Sequence, residues 1–255
     1  MPKDIDLTIS PLPLPKRILA LFTAAMADEA APLADLAGET GQPVNTGASG
    51  YLQLYQIGNE VIGLLRTGIG LVNAASALSA ALLYVTPSYI FSCGSAGGLD
   101  ANSHIGDVSA GASCVFSSAD ARVFGYKLGQ VPGMPERYLA DPDLLTRFEQ
   151  LSKKLKKTNL RSGLFLSADK FASVENALEL RKNFPEAITV DMESTALAQV
   201  AYGANIPFLA LRGISDLCGP TGHKDNEEHA GDVSRLSFLT AMTLIGLRDP
   251  EEFDV

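Results

Sequence analysis

The sequence predicts an α/β protein of three layers, α/β/α, whose central sheet is mixed and mostly parallel. Short apolar segments typical of buried strands alternate with segments of helical periodicity along most of the 255 residues, and this alternation favours parallel pairing. A hairpin around Gly58 and Asn59 adds antiparallel pairing. No linker, internal repeat or low-complexity tract interrupts residues 16–248. We therefore expect one domain there, with an extended arm over 1–15 and an acidic tail over 249–255.

The first half of the chain supplies the hairpin and the glycine-rich loops. An apolar strand over 17–23 leads to a short helix near Asp28 and Glu29, and the hairpin strands cover 51–57 and 61–66. Residues 71–84 are predicted to form a helix whose small Ala and Ser side chains allow close approach to a sheet. A buried strand over 88–93 ends in the glycine-rich loop 94–98, another strand covers 107–116, and residues 117–135 are irregular.

The second half of the chain alternates helices and strands. The helix predicted over 142–156 is amphipathic, and lysines crowd its C-terminal end, where the helix dipole favours positive charge. Strands over 161–167, 187–190 and 206–214 alternate with helices over 174–181, 194–202 and 233–247.

Composition and charge exclude several classes of protein. The formal net charge of −9, from 29 acidic and 20 basic residues, disfavours nucleic acid and anionic membranes as partners. Three widely spaced cysteines form no CxxC pair and are expected to be reduced packing residues. The N-terminus lacks a signal-peptide pattern, and the longest apolar stretch, 71–85, is shorter than the roughly 20 residues of a membrane span. We therefore expect a soluble, cytoplasmic protein.

Four predicted strand ends carry residues that together indicate a binding site. They are residues 67–70 (TGIG), 94–98 (GSAGG), 167–171 (SADKF) and 215–216 (SD). Ligands of open α/β sheets bind at the carboxyl ends of the strands, and glycine lets the backbone approach a ligand closely. Each loop alone could be only a tight turn, but four of them favour a site.

Familiar cofactor and metal patterns fit this chain poorly. The turn over 68–70 imitates a dinucleotide fingerprint, but Asn73 replaces the third glycine and no acidic residue follows about 20 positions later, so a dehydrogenase is weakly supported. No P-loop is present, and Ser95 lacks the leading glycine of a GxSxG nucleophile motif. His223 and His229 do not have metal-ligand spacing. The sequence predicts neither a cofactor nor a metal.

Acidic residues at two strand ends suit sugar binding and acid catalysis. Asp191 and Glu193 lie where a short strand meets a helix, and the helix dipole alone could account for both. Alternatively, Glu193 accepts hydrogen bonds from vicinal sugar hydroxyls while Met192 packs on the sugar. Asp216 follows an almost wholly apolar strand, so burial is expected to raise its pKa and let it donate a proton near neutral pH. A helix cap is the alternative role for Asp216.

Taken in chain order, these motifs resemble those of one enzyme family. They are residues 25–29 (AMADE), 68–70 (GIG), 94–99 (GSAGGL), 124–126 (FGY), 129–133 (GQVPG), 191–194 (DMES) and 214–216 (ISD). The chain resembles the methylthioadenosine/S-adenosylhomocysteine nucleosidases of the nucleoside phosphorylase superfamily over about residues 17–247. The resemblance implies a cofactor-free hydrolase that cleaves the N-glycosidic bond of 5′-thioadenosines and releases adenine and a thioribose.

The resemblance also implies roles for individual residues. Asp216 would protonate purine N7, Glu29 would activate the water, and Glu193, supported by Arg212, would hold the ribose hydroxyls. These roles fit the chemistry, because an oxocarbenium-like sugar needs negative neighbours and a departing base needs a proton. The substrate-binding residues implied in the same way are Met26, Ile69, Ser95, Ala96, Gly97, Phe171, Ala172, Asp191, Met192, Arg212 and Ser215.

A homodimer is the assembly that the resemblance implies, with each pocket completed by an aromatic loop of the neighbouring subunit. Phe124, Tyr126 and Pro132 match that loop, and local packing is their alternative role.

Three departures from the family pattern bear on substrate preference. The base loop 167–171 reads SADKF where the family has Ser-Gly-Asp-Ala-Phe, and Asp191 replaces a longer Glu. The family places aromatic residues over the 5′-thio tail, whereas residues 223–229 here read HKDNEEH. This polar segment, taken as a loop, predicts weaker discrimination in favour of apolar 5′ groups.

The alternatives within the superfamily are a phosphate-dependent purine nucleoside phosphorylase and a futalosine-type nucleosidase; outside it, a non-catalytic nucleoside-binding protein remains. Ser92 occupies the position at which trimer-forming relatives carry a phosphate-binding arginine, and Glu29 would repel phosphate, which favours water as the nucleophile.

Overall fold

One mixed sheet organises the residues that the computed structural model describes, which are 15–34, 38–47, 50–155 and 158–249. Its strands are β1 (Lys16–Ala24), β2 (Gly38–Asn45), β3 (Tyr51–Ile57), β4 (Glu60–Arg66), β5 (Val85–Ser92), β6 (Ser95–Gly98), β7 (Val108–Phe116), β8 (Tyr138–Leu139), β9 (Leu160–Ser167), β10 (Ala187–Asp191) and β11 (Phe208–Asp216). The helices are α1 (Ala27–Ala34), α2 (Leu71–Ala81), α3 (Pro142–Ser152), α4 (Val174–Asn183), α5 (Ser194–Ala204) and α6 (Gly222–Leu244). Except for Pro15 and Asp249, the predicted arm and tail lie outside the described residues.

The strand order is β2-β3-β4-β1-β5-β11-β6-β10-β9-β7-β8. Parallel pairing joins β1 to β4 and β5, β11 to β5 and β6, and β9 to β7 and β10. The hairpin β3–β4 is antiparallel, as predicted. Strand β11 also pairs antiparallel with β7, so that β11, β6, β10, β9 and β7 close into a ring at one end of the sheet.

Helices cover both faces of the sheet and give the three predicted layers. Helices α1, α3 and α6 share one hydrophobic cluster with β1 and β11, while α2 and α5 share another on the opposite face. Both faces of β11 are covered, which explains why every residue of this strand is buried. Gly213 lets α6 approach β11 closely, because a Cβ there would lie 2.2 Å from the Val233 carbonyl oxygen. Cys93, Cys114 and Cys218 are buried free thiols.

Local signals in the sequence begin several of the helices where they were expected. Asp141 caps α3 by accepting a hydrogen bond from the Leu144 amide at 3.0 Å, and Pro142 follows as the first helical residue. Ser173 caps α4 in the same way. The described residues contain no helix long and apolar enough to cross a membrane.

The structure corrects three local predictions. The final helix begins at Gly222 rather than at 233, so residues 223–229 are helical and not a loop. The predicted loop 94–98 is largely a strand, β6, since its backbone pairs with both β10 and β11. Residues 38–45 form an edge strand that the sequence did not predict, because its Gly, Pro and Asn residues have low strand propensity. Other element ends move by a few residues, as in α2 and α3.

Candidate active site

A cavity opens at the carboxyl ends of the parallel strands, where the sequence predicted a ligand site. It is lined by Ala25, Met26, Glu29, Ile69, Ser95, Ala96, Gly97, Lys170, Phe171, Ala172, Val190, Asp191, Met192, Glu193, Asp216 and Asn226. Every residue proposed for the pocket of a single subunit is in this set except Arg212 and Ser215, which lie behind the lining. Loops after β1, β4, β5, β9, β10 and β11 therefore converge on one place, as parallel pairing requires.

Glu29 is held at the first turn of α1 by four hydrogen bonds. Its Oε2 accepts from the amides of Ala25 at 3.1 Å and Met26 at 3.2 Å. Its Oε1 accepts from both the amide and the hydroxyl of Ser95, each at 2.8 Å. The carboxylate is thus buried, fixed in orientation and joined to β6 at the edge of the cavity.

Arg212 is a buried cation that ties two acidic residues together. Its Nε lies 2.9 Å from Asp191 Oδ2 and its Nη2 lies 3.3 Å from Glu193 Oε2. Burial disfavours the guanidinium, but the carboxylates of Asp191, Glu193 and Glu29 outweigh that effect and raise the pKa of Arg212. The remaining donors of Arg212 reach the hydroxyls of Ser92 and Ser194 and the Cys93 carbonyl. Arg212 therefore uses Nε, Nη1 and Nη2 in contacts within the protein.

Asp191 lines the cavity, but its carboxylate is used within the protein. Oδ1 accepts hydrogen bonds from the Ser167 hydroxyl at 2.6 Å and from the amides of Glu193 and Ser194 at the start of α5. Oδ2 accepts from Arg212. These contacts make Asp191 an organiser of the β10–α5 junction, at the helix N-terminus where the sequence analysis expected the dipole to favour a carboxylate.

Glu193 faces both the cavity and the N-terminus of α2. Its Oε1 accepts from the Gly70 amide at 3.0 Å, which joins the start of α5 to the start of α2 on the same face of the sheet. Burial raises the pKa of Glu193 to about 7, the negative charges of Asp191 and Glu29 add to the rise, and Arg212 and the Gly70 amide oppose it. The side chain can therefore change protonation near neutral pH.

Asp216 ends β11 inside the cavity and is only 2% exposed. Its Oδ1 accepts from the Cys218 amide at 2.9 Å and its Oδ2 from the Ser215 hydroxyl at 3.0 Å. Burial raises the pKa of Asp216 despite these two hydrogen bonds, as the sequence predicted. Asp216 does not cap α6, because that helix begins after Thr221.

The base loop (residues 167–171), continued by Ala172, is fixed to the start of α2 and meets α6. Asp169 Oδ1 accepts from the Leu71 amide at 2.7 Å, which fixes the loop beside Phe171 and Ala172. The Phe171 ring lies edge-on to the His223 ring, with centroids 6.3 Å apart. The base loop and the first turn of α6 therefore form the two sides of the cavity mouth.

Sequence reasoning missed four residues of the lining, Ala25, Lys170, Val190 and Asn226. Lys170 was noted only as a departure in the base loop, and Asn226 was assigned to a polar loop. Asn226 projects from α6 and donates from Nδ2 to Ser215 Oγ at 2.9 Å. The buried contacts of Ser92 and Ser194 with Arg212 were also missed, since serine in a strand or helix carries no signal of its own.

Phe124, Tyr126 and Pro132 do not line the cavity of their own chain. Phe124 is 79% exposed and follows Val123, which is 86% exposed, on a short turn of 3₁₀ helix. Within the described residues, no group of three or more His, Cys, Asp or Glu side chains could hold a metal ion.

Comparison with known proteins gives consistent relatives. A family model described as the phosphorylase superfamily matches residues 20–244. A 5′-methylthioadenosine/S-adenosylhomocysteine nucleosidase of Staphylococcus carnosus is 37% identical over 190 residues, which is 74% of this chain and 83% of that protein. The corresponding protein of Staphylococcus haemolyticus is 36% identical over 191 residues, 74% of this chain and 83% of that one.

Solved structures of proteins with the same description have the same fold. The nucleosidase from Neisseria meningitidis, in complex with methylthio-immucillin-A, gives a TM-score of 0.83 at 28% identity and covers 90% of this chain and 98% of that one. The nucleosidase from Colwellia psychrerythraea, in complex with adenine, gives a TM-score of 0.82 at 26% identity and covers 92% of this chain and 97% of that one.

Proposed function

This chain belongs to the methylthioadenosine/S-adenosylhomocysteine nucleosidase family of the phosphorylase superfamily, and we propose that it hydrolyses the N-glycosidic bond of such adenine nucleosides. The products are adenine and a free ribose or thioribose. The observation that carries this proposal is the convergence of three buried carboxylates, Glu29, Glu193 and Asp216, on one cavity.

The carboxylates match the charges that develop during cleavage. As the glycosidic bond breaks, the sugar gains oxocarbenium character, which nearby negative charge stabilises. The purine leaves with a developing negative charge, which a proton must neutralise. A site with two ionised acids near the sugar and one protonated acid near the base meets both needs.

Asp216 is the proposed general acid, because burial raises its pKa and so favours the protonated form that can donate. Phe171 and Ala172 line the same cavity from the base loop, so Phe171 stacks on the purine and the Ala172 backbone reads its edge. The proton passes from the Asp216 carboxyl to purine N7, and the electron pair of the glycosidic bond goes to the base.

Glu29 and Ser95 are the proposed water site. The Ser95 hydroxyl donates to Glu29, so its lone pairs are free to accept from a water that Glu29 also holds. Water adds to the anomeric carbon and Glu29 accepts its proton. Ile69 borders the water and the 5′ group, and Ala96 and Gly97 form the floor of the cavity beside Asp216.

Glu193 is the proposed partner of the ribose hydroxyls, with Met26 and Met192 beside the sugar. Two hydroxyl donors favour the carboxylate form, so substrate binding lowers a pKa that lies near 7 in the free protein. Arg212 holds this carboxylate in place from behind and does not contact the substrate.

Water is favoured over phosphate as the nucleophile by the charges around the cavity. Phosphate binding requires cationic or multiple amide donors, and the buried cation nearest the carboxylates, Arg212, already donates to Asp191, Ser92 and the Cys93 carbonyl inside the protein. Lys170 is the cation in the described lining, and it lies on the base loop rather than beside Glu29.

A homodimer is the proposed assembly, in which Phe124, Tyr126 and Pro132 of one subunit complete the pocket of the other. The exposure of Phe124 and Val123 supports this, since large apolar side chains together on a surface favour an interface.

Co-expression of Phe124→Ala and Asp216→Asn subunits tests the assignment. With random pairing about half of the dimers are mixed, and each mixed dimer contains one intact pocket of two, so activity should recover to about a quarter of the wild-type value. Activity no higher than that of the two variants expressed separately contradicts the assignment.

One domain over 16–248, a cytoplasmic location and a role in methionine salvage are further parts of the proposal. The buried free cysteines suit a reducing compartment, and the proposed substrates are by-products of reactions that use activated methionine.

A panel of nucleosides tests the function. Methylthioadenosine, S-adenosylhomocysteine, adenosine, inosine and a futalosine-type nucleoside are incubated with the protein, with and without phosphate, and free base is followed by chromatography. We expect adenine release without phosphate, loss of turnover in Glu29→Gln, and near-normal turnover in Asp28→Asn, whose side chain is exposed on the same helix turn. Base release that requires phosphate and yields a sugar 1-phosphate contradicts the proposal.

A further inference from the structure

Asn226 occupies a position in the cavity that connects α6 to the strand end carrying Asp216. The segment around it is strongly polar, and most of its side chains are exposed, but Asn226 is half-buried and lines the cavity. Its Nδ2 donates to Ser215 Oγ at 2.9 Å, eleven residues away in the chain. The Ser215 hydroxyl in turn lies 3.0 Å from Asp216 Oδ2 and 3.2 Å from the Ala96 carbonyl oxygen.

The Ser215 hydroxyl has two acceptors within reach and a single proton to donate. Because Asn226 donates to Oγ, it occupies one acceptor position of the hydroxyl and limits its rotation. The Ser215 proton can therefore point to Ala96 or to Asp216. The Cys218 amide, by contrast, donates to the other oxygen of Asp216, Oδ1.

This arrangement lets Ser215 respond to the charge on Asp216. When Oδ2 carries the acid proton, the Ser215 hydroxyl donates to the Ala96 carbonyl. When that proton has moved to the leaving purine, the carboxylate is negatively charged, Oδ2 is free to accept, and the Ser215 proton turns to it. The donation from Asn226 polarises the Ser215 hydroxyl and strengthens this second hydrogen bond.

We propose that Asn226 is a positioning residue for the general acid Asp216 and acts on it through the Ser215 hydroxyl. The inference deepens the proposed function and rests on it. It assigns a role to a side chain that stands where the resemblance placed an aromatic residue over the 5′ tail.

Other groups around Asp216 do not supply this connection. Asp225, the neighbour of Asn226 on α6, acts on Asp216 through its charge, and the Cys218 thiol contacts Asp216 from the following turn. Gly97 of β6 and Gly222 of α6 also lie against the carboxyl but carry no side chain. Asn226 is neutral, so its effect must pass through the hydrogen bond.

The expected direction of the effect follows from the chemistry. A hydrogen bond donated to the carboxylate form lowers its pKa, so loss of Asn226 should raise the pKa of Asp216 and make it a weaker acid. Activity requires protonated Asp216 and falls as the pH rises through that pKa. The alkaline limb of the profile of kcat/KM against pH should therefore move to higher pH while kcat falls.

A double-mutant cycle with Asn226→Leu, Ser215→Ala and the double variant tests the inference, with methylthioadenosine as substrate. We expect Asn226→Leu to lower kcat by about 3- to 10-fold, the effect of one hydrogen bond, and to move the alkaline limb upward by about half a pH unit. The kcat of the double variant should be no lower than that of Ser215→Ala, because both changes remove the same hydrogen-bonded connection to Asp216.

Controls separate this path from structural damage and from failure of the proposed function. Glu228→Gln alters an exposed residue of α6 and should leave kcat and the alkaline limb of the pH profile unchanged. Asn226→Ala repeats the test if the leucine variant does not fold. A changed KM with an unmoved limb, or effects that add fully in the double variant, overturns the inference. Wild-type protein that releases no base overturns the proposed function itself.

Discussion

Replacing Asp216 by Asn removes the transferable proton and keeps the shape of the side chain. The amide oxygen can still accept from the Cys218 amide, which now lies 2.9 Å from Oδ1. The new NH₂ group faces Ser215 Oγ, which can accept from it while donating to the Ala96 carbonyl at 3.2 Å. The local hydrogen bonds are therefore kept, and only the bond between residues 215 and 216 exchanges its donor and acceptor.

The energetic consequence differs for activity and for stability. Loss of a general acid lowers kcat by about 10²- to 10⁴-fold. The free energy of unfolding at pH 7 should change by no more than about 1 kcal/mol, the value of one ordinary hydrogen bond. Because burial raises the pKa of Asp216 above its unfolded value, the acid stabilises the fold below the unfolded pKa and this contribution is lost as the pH rises through the folded pKa. Asp216→Asn should lack that pH dependence.

Base release followed by chromatography, together with thermal melting of the same samples, measures both quantities. Asp232→Asn makes the same chemical change at an exposed position of α6 and should leave both unchanged. Near-normal turnover of Asp216→Asn would remove Asp216 from the mechanism. A large loss of stability that accounts for the lost activity would refute the geometric reasoning.

Three further predictions concern the buried charges and the cavity mouth. Arg212→Met leaves Asp191 and Glu193 without their cation, so it should cost about 3–5 kcal/mol and lower the melting temperature by about 6–20 °C; a melting temperature within about 2 °C of wild type in calorimetry would show that the cluster contributes little. Since the folded pKa of Glu193 is raised to about 7 from near 4.5, the free energy of unfolding of the wild-type protein should fall relative to that of Glu193→Gln as the pH rises between those values. Urea titrations in which the difference between the two proteins stays constant over this range would contradict the assigned pKa. Asn226→Phe should raise the ratio of methylthioadenosine to adenosine turnover, because an aromatic ring there faces the cavity. Any positioning effect on Asp216 acts on both substrates and cancels in this ratio. An unchanged ratio would mean that position 226 does not face the 5′ group.

The fold was predictable where hydrophobic pattern and turn chemistry agree. The β3–β4 hairpin and the alternation after residue 142 are read directly from apolar segments and glycine turns. Strand β6 was not predictable, since Ser-Ala-Gly-Gly has no strand propensity and is extended only because β10 and β11 pair with it on both sides. The first half of α6 is polar and contains Gly222 and Gly231, so its helix depends on packing that local sequence does not encode.

Asp191, Glu193 and Asp216 were singled out because each lies near the end of a strand, where side chains of parallel strands converge, whereas the role of Glu29 was implied by the family resemblance. Apart from Arg212, which the resemblance placed behind Glu193, their hydrogen-bond partners were not predicted. The hydrogen bond from Arg212 to the Ser92 hydroxyl joins residues 120 positions apart in the chain, and the one from Asn226 to Ser215 spans the turn between β11 and α6. Such contacts depend on the angle between helix and sheet, which no short motif specifies.

The central claim is that water attacks the sugar of an adenine nucleoside in the cavity formed by Glu29, Glu193 and Asp216. The measurement that tests it most directly is single-turnover cleavage of methylthioadenosine in ¹⁸O-labelled water with phosphate present, with mass analysis of the sugar product. The account predicts one labelled oxygen on the anomeric carbon and no sugar phosphate in the wild-type protein, and no such product within the same time in Glu29→Gln. A sugar 1-phosphate without label at that carbon would contradict it.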